Sequence, residues 1–142
     1  MFIEENDLVE LEIRYIKNEH QYNAYTPKEF SLLKVKEDGV KEEDKLEYLS
    51  LIIKMKELSW GMNNQLHEDA LVGSGENQKW NHKIFKENKL VNLITEWDAK
   101  DKNGNEVPIN AQAISNIAPP IAEAILRAYD EATIISEEEK GK

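Results

Sequence analysis

DLVELEIRYIK, residues 7–17, alternates along most of its length. Val9, Leu11, Ile13 and Tyr15 are apolar, and Glu10, Glu12 and Arg14 fall between them. A side-chain period of two belongs to a strand with one face buried and the other in water. The pattern returns at Leu49, Leu51, Ile53 and Met55, where Ile52 blurs it and Lys54 and Lys56 restore the polar face. FSLLKVK, residues 30–36, offers a shorter strand through Phe30, Leu33 and Val35. NEHQYNAYTPKE, residues 18–29, is polar and reads as a loop, with Thr26 as a cap and Pro27 opening a short helical turn. EDGVKEEDK, residues 37–45, is charged, carries Gly39 and reads as an exposed hairpin connection or loop.

Beyond residue 58 the period changes. Ser59 stands where a helix N-cap belongs, and Met62, Leu66 and Ala70 follow at spacing four. That helix is expected to stop near VGSGENQ, residues 72–78, which carries two glycines. A second helix is expected over residues 79–97, with Trp80, Ile84, Val91, Ile94 and Trp97 near one stripe. It breaks at DAKDKNGNEVP, where Asn103-Gly104 is a turn dipeptide. Asn110 caps a short helix, and Pro119-Pro120 opens a last one whose apolar face is Ile121, Ile125, Ala128, Tyr129 and Ala132. The expected fold class is α+β: a small N-terminal antiparallel sheet followed by a C-terminal part of about four helices covering one of its faces. Residues 1–135 are expected as a single domain, with a β-rich part at 1–58 and a helical part at 59–135. The tail SEEEKGK, residues 136–142, has no apolar residue and is expected to be disordered.

Charge and composition narrow the function. The chain has 142 residues and a net charge of −10, from 28 acidic and 18 basic side chains. Nucleic acid is not an expected partner, because phosphate binding needs clustered Lys and Arg and the basic residues here are interleaved with Glu. Without cysteine there is no disulfide, thiolate zinc site or thiol nucleophile. The acidic first residues have no signal-peptide pattern, and no apolar run approaches the roughly 20 residues needed to cross a bilayer.

Catalytic and metal-binding patterns fail on spacing. His67-Glu68-Asp69 lacks a second histidine four residues on, because position 71 is Leu, so it reads as a solvated helix face. Asp98, Asp101, Asn103 and Asn105 crowd one loop, but Gly104 comes two places early for a calcium loop and position 112 is Gln. GSGENQK, residues 73–79, does not meet phosphate-loop spacing. Ser59, Ser74 and Ser115 lack the strand-turn-helix context of a nucleophile elbow. No catalytic, cofactor or metal residue is therefore assigned, and the chain is not expected to be an enzyme. The aromatic residues are the candidates that remain. Trp80 and Trp97 read as core, with partner contact as the alternative, and Trp60 lies at a helix start where one ring edge stays wet. Trp60, Trp97 and Tyr129 are taken as the partner-binding residues, because large amphipathic side chains dominate interface energies.

LVNLITEWDAKDKNGNEVPINAQAISNIAPPIAEAILRAYDEA, residues 90–132, places Trp97 at a helix end and continues through Asp98, Asp101 and Gly104. Pro108 then marks the exit, Ile114 sits in the short helix, and Pro119 precedes the final helix. In that order of features it resembles the C-terminal half of phage tail assembly chaperones, and ELSWGMNNQ (57–65) is similar to the strand-to-helix entry upstream. Overall, residues 57–132 carry the likeness. Ala118 stands where that family usually has Leu before the proline. The resemblance implies a non-enzymatic protein of the host cytoplasm that binds the tape measure protein and tail tube subunits during tail morphogenesis. It implies no cofactor, nucleic acid or membrane, and it leaves homo-oligomerisation open. The alternative is a structural tail or head–tail connector component retained in the virion.

Overall fold

β1 (Leu8–Asn18) is the long inner strand of a four-stranded antiparallel sheet ordered β2-β1-β3-β6, with β2 (Gln21–Tyr25), β3 (Leu49–Lys56) and β6 (Ile94–Trp97) as its other members. The fold class is α+β. The computed structural model describes residues 1–4, 6–36 and 47–140, so the 37–45 connection lies outside the described residues. The two alternating runs are strands in register, with Leu11 opposite Ile53 and Ile13 opposite Leu51. Their shared face is the core side, where Leu11, Ile13, Leu51, Ile53 and Met55 are buried.

Covering that face is α5 (Pro119–Lys140), which lays Ile121, Ala124, Ile125, Ala128 and Tyr129 on the sheet. Ala124 and Ala128 lie four apart on one helix face and carry no bulk beyond Cβ, so α5 can approach the strands closely. α3 (His82–Leu93) contributes Leu90 and Leu93, and the short α4 (Ala111–Ser115) contributes Ile114. A single cluster of buried side chains thus draws on both halves of the chain. Two of the caps and the proline helix start read from the sequence are in place. Ser59 Oγ accepts the Met62 N–H at 3.2 Å at the start of α2 (Trp60–Asp69), Asn110 Oδ1 accepts the Ala113 N–H at 2.7 Å, and Pro119 opens α5.

Four expectations are corrected. The segment expected as a loop holds β2, joined to β1 by a two-residue turn in which Glu19 takes φ +52°. Its alternation is short but present: Tyr22 and Ala24 face inward and Gln21 and Asn23 outward. Residues 30–36 are not a strand, because they belong to α1 (Pro27–Lys36). A reciprocal capping box starts that helix: the Glu29 N–H donates to Thr26 Oγ1 at 3.2 Å, and the Thr26 N–H donates to Glu29 Oε1 at 2.9 Å. Two orphan donors satisfied at once outweigh an alternation of three residues.

The third correction concerns the helix expected over residues 79–97, which divides into three elements. Lys79–Trp80 is β5, paired with β4 (Leu71–Val72) in a separate two-stranded sheet, so α2 ends at Asp69 rather than in the glycine-rich stretch. Asn81 then caps α3, accepting the Lys83 and Ile84 N–H groups at 3.0 and 3.1 Å. After Leu93 the chain straightens into β6, which pairs Trp97 with Ile53. Ile, Thr and Trp suit a pleated surface, and the sheet offers them a partner that a helix continuation would not. Trp80 and Trp97 therefore do not share a helix. The fourth correction is at the end of the chain: α5 runs to Lys140, into the tail expected to be disordered. Extending an existing helix adds one hydrogen bond per residue fixed, and Glu and Lys oppose it little.

Candidate partner-binding groove

Four segments converge near residue 58. The Glu57 N–H donates to the Asp7 carbonyl at 2.9 Å, which fastens the exit of β3 to the chain entering β1. Ser59 is extended (φ −75°, ψ 161°), and its capping hydrogen bond turns the chain abruptly into α2. Trp60 is thereby set on the first turn of α2, facing outward and 83% exposed. The same groove is lined by Tyr129, Ala132 and Thr133 of α5, by Ile3 and Val9, and by Lys89 of α3. The space enclosed is about 450 Å³.

Tyr129 forms part of the groove wall but is only 2% exposed. Its hydroxyl donates to the Lys56 carbonyl at 3.1 Å, and burial pushes its pKa up to about 12. The phenol is therefore a neutral donor that locks α5 onto the end of β3. The Lys89 ammonium lies 5.0 Å from the Tyr129 ring centroid and pairs with Asp130 at 3.3 Å. Lys89 and Asp130 also line a second, smaller cleft of about 190 Å³ beside Trp80 and Phe85. Nearby, His67 stacks on Phe85 at 4.5 Å and on Trp80 at 5.7 Å, while His67, Glu68 and Asp69 are all exposed, as the solvated helix face read from the sequence requires.

Of the three residues read as partner contacts, the structure brings Trp60 and Tyr129 to one groove and places Trp97 elsewhere. Trp97 packs against the core, and its indole N–H donates to the Val107 carbonyl at 2.7 Å, which pins the 98–107 loop to the sheet. Within that loop Asp101 Oδ1 accepts the Asn103 and Asn105 N–H groups at 2.8 and 3.0 Å, so the carboxylate serves its own turn. Ile3 and Val9 were not singled out from the sequence. Val9 was legible only as a core-side strand residue, and nothing local indicates that the chain preceding β1 folds beside α2.

Larger hollows lie at the β1–β2 end of the sheet. One, of about 610 Å³, is lined by residues 17–21 alone and has no opposing wall. The other, of about 710 Å³, is lined by residues 15–18 and 47–49. On the sheet face away from α5, the Arg14 guanidinium lies 5.3 Å from the Phe30 ring and 4.9 Å from Tyr48. Among the described residues there is no group of three His, Cys, Asp or Glu placed to hold a metal ion, and no helix is long and apolar enough to cross a membrane. Comparison with protein-family models, curated proteins and solved structures returns no match to this chain.

Proposed function

We propose that this chain is a non-enzymatic assembly adaptor of the phage tail assembly chaperone type. On this reading it binds the tape measure protein and tail tube subunits in the host cytoplasm before they polymerise. The observation that carries the proposal is Trp60, a large aromatic side chain left 83% exposed in the lining of a mixed polar and apolar groove. Its indole makes no hydrogen bond among the described residues, and the backbone at its position is set by Ser59 rather than by the ring. A Trp side chain buries about 150–250 Å² when covered, worth roughly 4–6 kcal/mol at about 25 cal/mol per Å². That free energy is not gained within the chain, so it is open to a partner. Exposed aromatic anchors beside a groove are the usual centres of protein–protein binding. The order of features from the turn at residues 98–104 through Pro108 and the short helix to the final helix is the family-level support, whereas Trp97 ends a strand and not the helix that the resemblance implies.

Co-expression with the tape measure and tail tube proteins of the same genome tests the reading. The expected result is co-purification with at least one of them and a larger soluble fraction of that partner. Loss of both effects would overturn it. Mass spectrometry of purified particles adds a second arm: an adaptor is absent from the particle, whereas a stoichiometric copy number would instead make the chain a structural subunit.

A further inference from the structure

Asn103 is the one asparagine in the chain that glycine follows, and both residues are exposed. They stand between the bridged Lys100 and Glu106, with Gly104 at φ +81° and open space where a Cβ would be. Backbone in that region suits glycine, and glycine leaves its own nitrogen unscreened by a side chain. The Asn103 carboxamide makes no hydrogen bond among the described residues, so it is free to rotate onto that nitrogen.

Asp101 holds the turn closed. Its Oδ1 accepts the Asn103 and Asn105 N–H groups at 2.8 and 3.0 Å. Its carbonyl accepts the Gly104 N–H at 3.0 Å, and its own N–H donates to the Asn105 carbonyl at 2.9 Å. The Gly104 proton is therefore committed for as long as the turn is intact.

We infer that Asn103-Gly104 is a site of spontaneous deamidation, restrained in the folded chain by Asp101, and that its isoaspartyl product releases the loop. The Gly104 nitrogen loses its proton to hydroxide and attacks Asn103 Cγ. The new N–Cγ bond closes a cyclic succinimide, the Cγ–Nδ2 bond breaks, and Nδ2 takes a proton from water and leaves as ammonia. Water then opens the ring. Breaking the bond from nitrogen to Cγ gives aspartate; breaking the bond from nitrogen to the backbone carbonyl carbon gives isoaspartate. Water is consumed and ammonia released, with no oxidation or reduction. Isoaspartate carries the main chain through Cβ and Cγ, which lengthens it by a methylene between residues 103 and 104. The Asp101–Asn105 hydrogen bond spans that point and loses its register. The added carboxylate also joins Asp98, Asp101 and Glu106 in the same loop. Loosening passes to Val107, whose N–H donates to the Ala99 carbonyl at 3.1 Å and whose carbonyl accepts the Trp97 indole N–H.

The test ages the full chain in mildly alkaline buffer and follows each asparagine by peptide mapping and mass spectrometry. Asn103 is expected to convert about tenfold faster, or more, than Asn110 and Asn116, which Ala and Ile follow. Asp101→Ala is expected to speed Asn103 about threefold or more while leaving Asn110 unchanged, and Asp101→Asn, which keeps an acceptor oxygen, to stay within about twofold of the parent. Hydrogen exchange of the aged chain should quicken at residues 98–107, and Asn103→Gln should age without that change. Conversion at Asn103 no faster than at Asn110 would overturn the site. An Asp101→Ala rate equal to the parent's, or one raised by the same factor at Asn103 and Asn110, would overturn the restraint. Unchanged exchange in converted chains would overturn the release.

Discussion

Trp97 lies on the edge strand of the sheet, packed against the core with its indole N–H bonded to Val107 at 2.7 Å. Trp60 lies on the first turn of α2, 83% exposed and with no hydrogen bond of its own among the described residues. The two indoles differ in what accounts for them. Trp97 is explained by stability, because its removal would loosen both the core and the 98–107 loop. Trp60 contributes little to the fold, and on the proposed adaptor reading its position serves a partner. An exposed aromatic is informative where the local backbone is set by other residues, as Ser59 sets it here.

The core side of that comparison is tested most severely at Ile53, which is fully buried and pairs with both Leu11 and Trp97. Ile53→Ala is expected to cost about 2–5 kcal/mol in denaturant unfolding, the range for deleting buried methylenes and leaving a cavity. A smaller effect is expected from Trp97→Phe, which keeps most of the packing and leaves the Val107 carbonyl without its donor. About 1–3 kcal/mol should be lost, with faster hydrogen exchange confined to residues 98–107.

Thr26→Ala removes one half of the capping box and the Oγ1–H···Glu131 bond at 3.3 Å, and is expected to cost about 1 kcal/mol. The same corner has a pH signature. Burial works to raise the Glu29 pKa, but the hydrogen bonds from Arg127 (2.8 Å) and from the Thr26 N–H outweigh it and hold the carboxyl below its ordinary 4.5. A depressed carboxylate stabilises the folded state above its unfolded pKa, and that contribution disappears as pH falls through the lower folded value. Stability should therefore decline on acidification below about pH 4.5, and Glu29→Gln should flatten that part of the profile.

Much of the fold was legible because it is local. The periods in β1 and β3, the Ser59 and Asn110 caps and the proline start of α5 are short-range signals, and each is found in place. The errors came where two local signals competed. At residues 26–36 the Thr26–Glu29 capping box was stronger than the alternation through Phe30, Leu33 and Val35. At residues 94–97 the helical stripe ran on through Ile94 and Trp97, but pairing with β3 is a long-range reward that no window of sequence reports. The groove was half legible for the same reason. Trp60 at a helix start pointed to a wet ring, whereas Tyr129, chosen as a contact, is buried by packing that depends on β3 and α3. The part played by Ile3 and Val9 follows from tertiary placement alone.

The smallest expected change in stability belongs to Trp60→Ser, within about 0.5 kcal/mol of the parent, because little of the ring is buried. The same variant is expected to show the largest change in binding. Co-purification of the tape measure and tail tube proteins with the parent chain and with Trp60→Ser, alongside thermal unfolding of both, therefore tests the account most directly. The account predicts retention by the parent, loss of the partner by the variant and matching unfolding transitions. Equal retention by an equally stable variant would show that the groove is not the working surface, and no retention by the parent would contradict the adaptor reading itself.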